Sequence, residues 1–122
     1  MHTQSPTPER FLPLTHVVYH VLLSVAEVPR HGYGIIKDVE ERTQGRLVLE
    51  AGTLYAAIKR LRDDLLLEES DGPPGGDARR RYYGLTPLGL RVLRAESERL
   101  AELVALAREA RVLPPAAPEG RA

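Results

Sequence analysis

The residues Gly52-Thr-Leu-Tyr-Ala-Ala-Ile-Lys-Arg-Leu-Arg62 and the segments that follow them indicate the fold. A strand is predicted over residues 65–70, a loop rich in glycine and proline over residues 71–78, and a return strand over residues 79–85. The sequence therefore predicts a helix followed by a β-hairpin with a long tip. The apolar residues of the helix recur at the spacing of one helical face; they are Leu54, Ala57, Ile58 and Leu61.

Two further helices precede this unit, and one long helix follows it. The first two are predicted over residues 14–27 and 33–43 from their apolar spacing. Thr86 suits the N-cap of the last helix and Pro87 its first turn, where a missing N–H costs nothing. This order predicts a mainly α fold with a small β-hairpin, which is the winged helix-turn-helix plan extended by a long C-terminal helix.

The third helix is the candidate recognition helix. A helix fits the major groove of B-DNA, and the residues at its N-terminal end reach base edges. Here that end carries Gly52, Thr53 and Tyr55, while Lys59 and Arg60 can neutralise backbone phosphates. The alternative is an ordinary amphipathic surface helix whose basic side faces water and whose tyrosine packs inside the fold.

Two other segments are candidate contacts to DNA. Arg79, Arg80 and Arg81 follow the hairpin tip and can lie along a phosphate track or the minor groove. Strand alternation predicts that Arg80 faces away from the other two. Tyr33 begins the second helix, where it could reach a phosphate and where His31 could act as N-cap. The alternatives are a solvated hairpin and a core tyrosine.

The last helix is too long and too apolar on one side for a small core to cover. An exposed apolar stripe usually marks a partner, and charged residues flank this one as they do at a helix-pairing seam. The alternative is a helix that folds back on its own domain. The stripe comprises Val92, Leu93, Leu100, Leu103, Val104 and Ala107, and the flanking charges are Glu96, Glu98, Arg99, Glu102 and Arg108.

Composition excludes several classes of function. The 122 residues fit one domain and contain no cysteine, which excludes disulfides, Cys-ligated metals and a thiol nucleophile. His16 and His20 have metal-ligand spacing, but no carboxylate falls beside them, so we expect no metal. Without a phosphate-binding loop or a nucleophile motif we expect neither an enzyme nor a cofactor. Without a secretory signal or an apolar run of about 18 residues we expect a cytoplasmic protein and no membrane partner.

The formal net charge is zero, which argues against a polyanionic partner. The charge is segregated, however. Residues 51–62 carry three basic and no acidic side chains, and residues 72–94 carry five arginines and one aspartate. A neutral chain can therefore still present a basic surface.

Three motifs occur at spacings that are typical of one family of proteins. They are His31-Gly-Tyr-Gly-Ile35, Gly52-Thr-Leu-Tyr-Ala-Ala-Ile-Lys-Arg-Leu61 and Arg81-Tyr-Tyr-Gly-Leu-Thr-Pro-Leu-Gly89. Together with residues 14–26 they cover most of the chain in the same order. In these motifs the chain resembles the PadR-like transcriptional regulators, in particular the short single-domain members.

The resemblance implies a homodimeric winged helix-turn-helix protein on a pseudo-palindromic operator, typically a repressor. It implies that residues 53–55 open the recognition helix, with Leu54 in the core, and that Tyr33 lies near a phosphate. It also implies that the C-terminal helix contacts the partner's N-terminal helix, which adds Val18 and Leu22 to the predicted dimer interface.

The chain departs from the family pattern at a few positions. Ala51 and Ala56 each stand where the family often has proline, and both suit a helix. Leu65 stands where the family usually has a glycine with positive φ. A leucine there is expected to be strained by about 1 kcal/mol or more.

Taken together, the sequence predicts a sequence-specific DNA-binding transcriptional regulator, a homodimeric repressor that a small-molecule effector could release from its operator. The alternative is a winged-helix module that binds another protein and not DNA, which the zero net charge favours. The predicted organisation is a flexible N-terminal arm over residues 1–13, a DNA-binding domain over residues 14–85, a dimerisation helix over residues 86–112 and a disordered tail over residues 113–122.

Overall fold

The computed structural model describes residues 7–77 and 79–117, and within them the chain is mainly helical with a small antiparallel sheet. The order confirms the predicted three helices, hairpin and long helix, and it adds one short strand. A 3₁₀ helix covers Pro8–Phe11. The α-helices are α1 (His16–Ser24), α2 (Gly32–Arg42), α3 (Ala51–Asp63) and α4 (Pro87–Glu109). The strands are β1 (Arg30–His31), β2 (Leu67–Ser70) and β3 (Tyr82–Leu85).

Side-chain caps fix where three of the helices begin. Each cap satisfies a backbone N–H that has no partner inside its helix. The caps that the sequence predicted are confirmed. Each accepts from the backbone N–H three residues later: Thr15 from Val18 at 3.1 Å, His31 from Gly34 at 3.0 Å and Thr86 from Gly89 at 2.9 Å.

The core lies where α1, α2, α3 and the first half of α4 meet the sheet. Three residues that the sequence assigned to the dimer interface, Leu22, Val92 and Leu93, belong to this core. That assignment is corrected, because a side chain buried within its own chain has no surface to offer a partner. The other fully or nearly fully buried apolar residues are Val21, Val25, Ile35, Val39, Leu49, Leu54, Ile58, Leu61, Leu66, Leu67 and Tyr83.

The sheet has the strand order β1-β3-β2, and both pairings are antiparallel. We call residues 67–85, which comprise β2, β3 and the loop between them, the wing. In the added strand, Arg30 pairs with Tyr83 and His31 with Tyr82. Two residues are too few to show the alternation that identifies a strand, so the sequence pattern did not reveal β1. Its pairing holds the beginning of α2 against the wing.

Backbone contacts at the start of α4 fix that helix against the turn after α3. The Thr86 N–H donates to the carbonyl of Leu66 at 3.1 Å, and the Thr86 hydroxyl donates to the carbonyl of Leu65 at 2.6 Å. Gly89 packs directly on the Leu66 carbonyl, and a Cβ at this position would collide with it. A glycine is therefore required here by the closeness of two backbone segments.

The described part of the predicted arm, residues 7–13, lies along α4, and residues 1–6 are outside the described residues. The carboxylate of Glu96 on α4 accepts the backbone N–H of Leu14 at 2.9 Å and two N–H groups of Arg99 at 2.6 and 3.0 Å. These donors, with Arg99 first, lower the pKa of Glu96 against the effect of burial. The prediction that Glu96 flanks a helix-pairing seam was wrong, because the carboxylate is buried within its own chain and joins Leu14, directly after the arm, to α4.

Several boundaries differ from the predicted ones. α1 and both strands of the wing are shorter than expected, and α4 ends at Glu109, with Arg111 in the left-handed conformation at φ 64°. Residues 113–117 of the predicted tail follow this turn, and residues 118–122 lie outside the description. No helix among residues 7–77 and 79–117 combines the length and apolar character needed to cross a membrane.

The strained turn at Leu65 gives a test of stability. Leu65 has φ 63° as expected, and its side chain is 65% exposed, so little packing depends on it. Asparagine tolerates this conformation. We expect Leu65→Asn to stabilise the protein by about 1 kcal/mol and to raise Tm by roughly 3–5 °C in thermal unfolding. The control is Asp64→Asn, one residue earlier at φ −83°, which should leave Tm unchanged. A Tm for Leu65→Asn at or below the parent value would contradict the assigned strain.

Candidate nucleic-acid interface

One side of α3 does not pack against the core. Leu54, Ile58 and Leu61 hold the helix to the domain, and the residues between them face solvent. Glu50 precedes α3 without forming a side-chain cap, so the helix begins with uncapped N–H groups. Such groups attract anions. The exposed side carries the five predicted recognition residues Gly52, Thr53, Tyr55, Lys59 and Arg60.

A surface cleft joins α3 to α2 and the wing. Tyr55 enters the cleft from α3, and Tyr33, which is 60% exposed, lies at the beginning of α2. The structure thus brings together three groups that the sequence predicted separately. Lys59 and Arg60 lie farther along α3 and do not line the cleft. The residues around it are His31, Gly32, Tyr33, Tyr55, Arg79, Arg80, Arg81 and Tyr83.

Gly32 permits the contact between α2 and α3. It is buried, and a Cβ at this position would collide with the phenol of Tyr55. Gly32 therefore provides space for that phenol, which places Tyr55 at the wall of the cleft. Tyr55 remains half-exposed, so the prediction that it is available at the surface agrees with its position.

Most of the basic side chains near the cleft have acidic neighbours. Exposed pairs of this kind contribute little to stability, so the basic side chain can bind another anion in place of the carboxylate. Asp77 has a lowered pKa because the backbone and side chain of Arg79 donate to it. The pairs are Arg79 with Asp77 at 3.3 Å, Arg81 with Glu69 at 3.1 Å, Arg62 with Glu69 at 3.5 Å and Lys59 with Asp63 at 3.2 Å.

The arginines of the wing do not follow strand alternation. β3 begins at Tyr82, so Arg79, Arg80 and Arg81 precede the strand. The prediction that a strand pleat separates them onto two faces was therefore wrong. All three border the same cleft.

His31 is a cleft residue that we predicted only as a helix cap. Its Nδ1 accepts from the backbone of α2, and its Nε2 lies 2.6 Å from Nη1 of Arg80. The ring meets Tyr82 edge to face, and it lies parallel to Tyr33 with 6.4 Å between ring centroids. Burial first, and then the charge of Arg80, lower the pKa of His31. No local signal predicted the second contact, because the partners are 49 residues apart.

The other histidine pair does not form a larger cluster. His16 and His20 meet edge to face at 4.7 Å between ring centroids on α1. Within the described ranges no third histidine or carboxylate joins them in a group that could hold a metal ion. Burial lowers the pKa of His20.

The second half of α4 extends beyond the core and exposes apolar residues. Leu103 is 49% exposed, and Val104 is also exposed. Leu100 and Ala107 are partly exposed, while Val18 on α1 packs against the core with part of its surface free. Five of the predicted interface residues therefore keep surface for a partner. The structure adds three exposed residues that we did not predict: Leu106, Val112 and Leu113.

Comparisons with known proteins agree with this architecture. The profile of the transcriptional regulator PadR-like family matches residues 21–95, which include α2, α3, the cleft and the wing. An uncharacterized protein X of Lysinibacillus sphaericus is 31% identical over 74 residues, covering 61% of this chain and 68% of that protein. A transcriptional regulator from Clostridium thermocellum is 26% identical with a TM-score of 0.64, covering 77% of this chain and 88% of that one. A PadR family transcriptional regulator from Eggerthella lenta is 30% identical with a TM-score of 0.58, covering 81% and 83%.

Two glycines offer a matched test of the cleft. Gly32→Ala should lower the free energy of unfolding by about 1 kcal/mol, because Tyr55 must leave its favoured rotamer. Gly52→Ala should raise it by up to about 1 kcal/mol, because the new Cβ meets nothing within 4 Å and alanine favours a helix. Urea unfolding measures both. In a Tyr55→Ala background Gly32→Ala should no longer destabilise the protein, and a loss of stability that persists there would refute the assigned packing.

Proposed function

The chain belongs to the PadR-like family of transcriptional regulators, and we propose that it binds a pseudo-palindromic DNA operator as a homodimer and represses transcription. The family and the matching solved structures are transcription regulators and not enzymes. The observation that carries the proposal is the position of the exposed side of α3 beside a cleft lined by three tyrosines and three arginines.

In the proposed complex α3 enters the major groove with its N-terminal end towards the bases. Gly52 has open space around it and allows close approach, while Thr53 can reach base edges or phosphates. Lys59 and Arg60 neutralise backbone phosphates on the flank of the groove. The wing then lies along the adjacent backbone, with Tyr33 donating its hydroxyl to a phosphate.

The neutral net charge is compatible with this proposal. The exposed pairs of Arg79 with Asp77 and of Arg81 with Glu69 balance the wing in the free protein. Because such pairs are weak in water, phosphate can replace the carboxylate as partner. We therefore expect DNA binding to depend steeply on salt even though the chain as a whole is neutral.

We propose that the exposed half of α4 forms the interface of a homodimer. Its apolar residues form a continuous stripe that a second copy could cover, and exposed stripes of this kind usually mark partners. Pairing would present two α3 helices about 34 Å apart, one turn of B-DNA. A small-molecule effector bound between the paired helices would change this spacing and release the DNA.

Removing the basic residues of α3 tests DNA binding. With a labelled duplex from immediately upstream of the coding region, Lys59→Ala with Arg60→Ala should weaken binding at least about tenfold. The salt slope is the slope of the logarithm of the binding constant against the logarithm of the salt concentration. The double variant should reduce the size of this slope by about one for each phosphate that it no longer neutralises. The control is Arg91→Ala with Arg94→Ala, which removes the same charge from exposed positions on α4.

Two outcomes would count against this proposal. An equal decrease in affinity for both double variants would point to a general charge effect. If the parent protein shows no salt-dependent, sequence-preferring complex but captures a stoichiometric protein partner, the protein-binding alternative is favoured.

Charged residues in the α4 stripe test the dimer. Leu103→Glu with Val104→Glu should convert the protein to a monomer in sedimentation equilibrium, because two carboxylates would be desolvated at the interface. The fold of each chain should persist, since both residues are exposed. Ala105→Glu, on the opposite side of the same helix, should remain dimeric. A parent protein that is already monomeric at micromolar concentration would overturn the proposed assembly.

A further inference from the structure

The imidazole of His31 is approached by two hydrogen-bond donors. The backbone N–H of Gly34 points at Nδ1 at 3.0 Å, and Nη1 of Arg80 lies 2.6 Å from Nε2. A guanidinium is always a donor, and so is a backbone N–H. A neutral imidazole has only one nitrogen that can accept.

The two donors therefore cannot both be satisfied. The N-cap hydrogen bond is imposed by the start of α2 and requires an unprotonated Nδ1. In the neutral ring the proton then lies on Nε2, where it faces the N–H of Arg80. The opposite tautomer would satisfy Arg80 and leave two donors facing each other at the N-cap. In the free protein one donor is thus always left over.

An anionic oxygen ligand resolves this mismatch. We propose that His31 and Arg80 together bind one backbone phosphate of DNA, with the Nε2–H of neutral His31 and the guanidinium of Arg80 donating to its non-bridging oxygens. Phosphate oxygens have several lone pairs and can accept from both groups at once. This inference rests on the proposed function and adds His31 to the residues that bind DNA.

The surroundings favour a phosphate at this point. The pair lies in the cleft beside Tyr33, so the ligand would remain within reach of the phenol. The backbone pairing of His31 with Tyr82 fixes the ring position relative to the wing. Among the ion pairs of the described residues Arg80 has no carboxylate partner, whereas Arg79 and Arg81 each have one.

The pair also has a particular electrostatic signature. In the free protein burial first, and then the charge of Arg80, lower the pKa of His31, which favours the neutral ring. A neutral donor strengthens binding without releasing a counterion, whereas an arginine releases one for the phosphate it neutralises. His31 should therefore contribute to affinity but not to the salt slope, and Arg80 should contribute to both.

Variants that keep the helix cap test the proposal. Asparagine and aspartate are both strong N-caps, but neither places a donor where Nε2–H lies. With the promoter duplex, His31→Asn should weaken binding about tenfold with an unchanged salt slope and an unchanged Tm. His31→Asp should weaken binding more, because its carboxylate would pair with Arg80. Arg80→Ala should weaken binding at least tenfold and lower the salt slope, and adding His31→Asn should cost less than a further tenfold.

Nitrogen-15 spectra of the imidazole supply an independent readout. We expect the proton on Nε2 in the free protein, and a changed Nε2 signal when the duplex is added. Inorganic phosphate alone is the second probe. A shift with phosphate but not with the duplex would assign the pair to a free phosphate and overturn the DNA contact.

The outcomes separate this inference from the proposed function. If the parent binds the duplex in a salt-dependent manner while His31→Asn and His31→Asp bind equally well, the phosphate pair is refuted and the DNA-binding function stands. A protonated Nδ1 in the complex would likewise refute it. If the parent binds no duplex, both proposals fail together.

Discussion

Arg30 and His31 hold the functional elements of this domain in one place. Their backbone pairs with β3, so the end of the loop after α1 becomes part of the sheet. The Arg30 side chain donates to the carbonyl of Ser24 at 2.6 Å and pairs with Asp38 at 3.3 Å, which connects α1, the sheet and α2. His31 then caps α2 directly after the strand. Because the chain passes from strand to helix cap without a linker, the wing cannot move away from α2 without breaking sheet hydrogen bonds.

This constraint explains how a chain without net charge can present a basic interface. The wing brings three arginines to the tyrosines of α2 and α3, and short-range pairs with Asp77 and Glu69 balance two of them. The balance is local and exposed, so a polyanion can displace it. Net charge describes the whole chain. Binding depends instead on the local charge of the cleft after phosphates have replaced the carboxylates as partners of the arginines.

α4 has two halves with different roles. Val92 and Leu93 complete the core, and Glu96 joins Leu14, directly after the arm, to the helix. Beyond this point the domain ends, and Leu103 and its apolar neighbours have nothing from the described chain to cover them. The sequence showed one apolar stripe along the whole helix. The spacing of apolar residues is the same for side chains buried in their own domain and for exposed side chains that a second chain could cover. Where the domain ends along the helix depends on the tertiary structure.

The left-handed turn at Leu65 was expected only from the family resemblance. The amino-acid sequence was sufficient to predict the features that depend on neighbouring residues: the helical faces and the caps at Thr15 and Thr86. These features arise from contacts within about four residues, so local pattern and residue chemistry suffice. Three features could be found only in the folded chain: the strand β1, the burial of Glu96 and the contact of His31 with Arg80. These depend on segments far apart in the chain, and their positions are set by how the helices and the wing pack together.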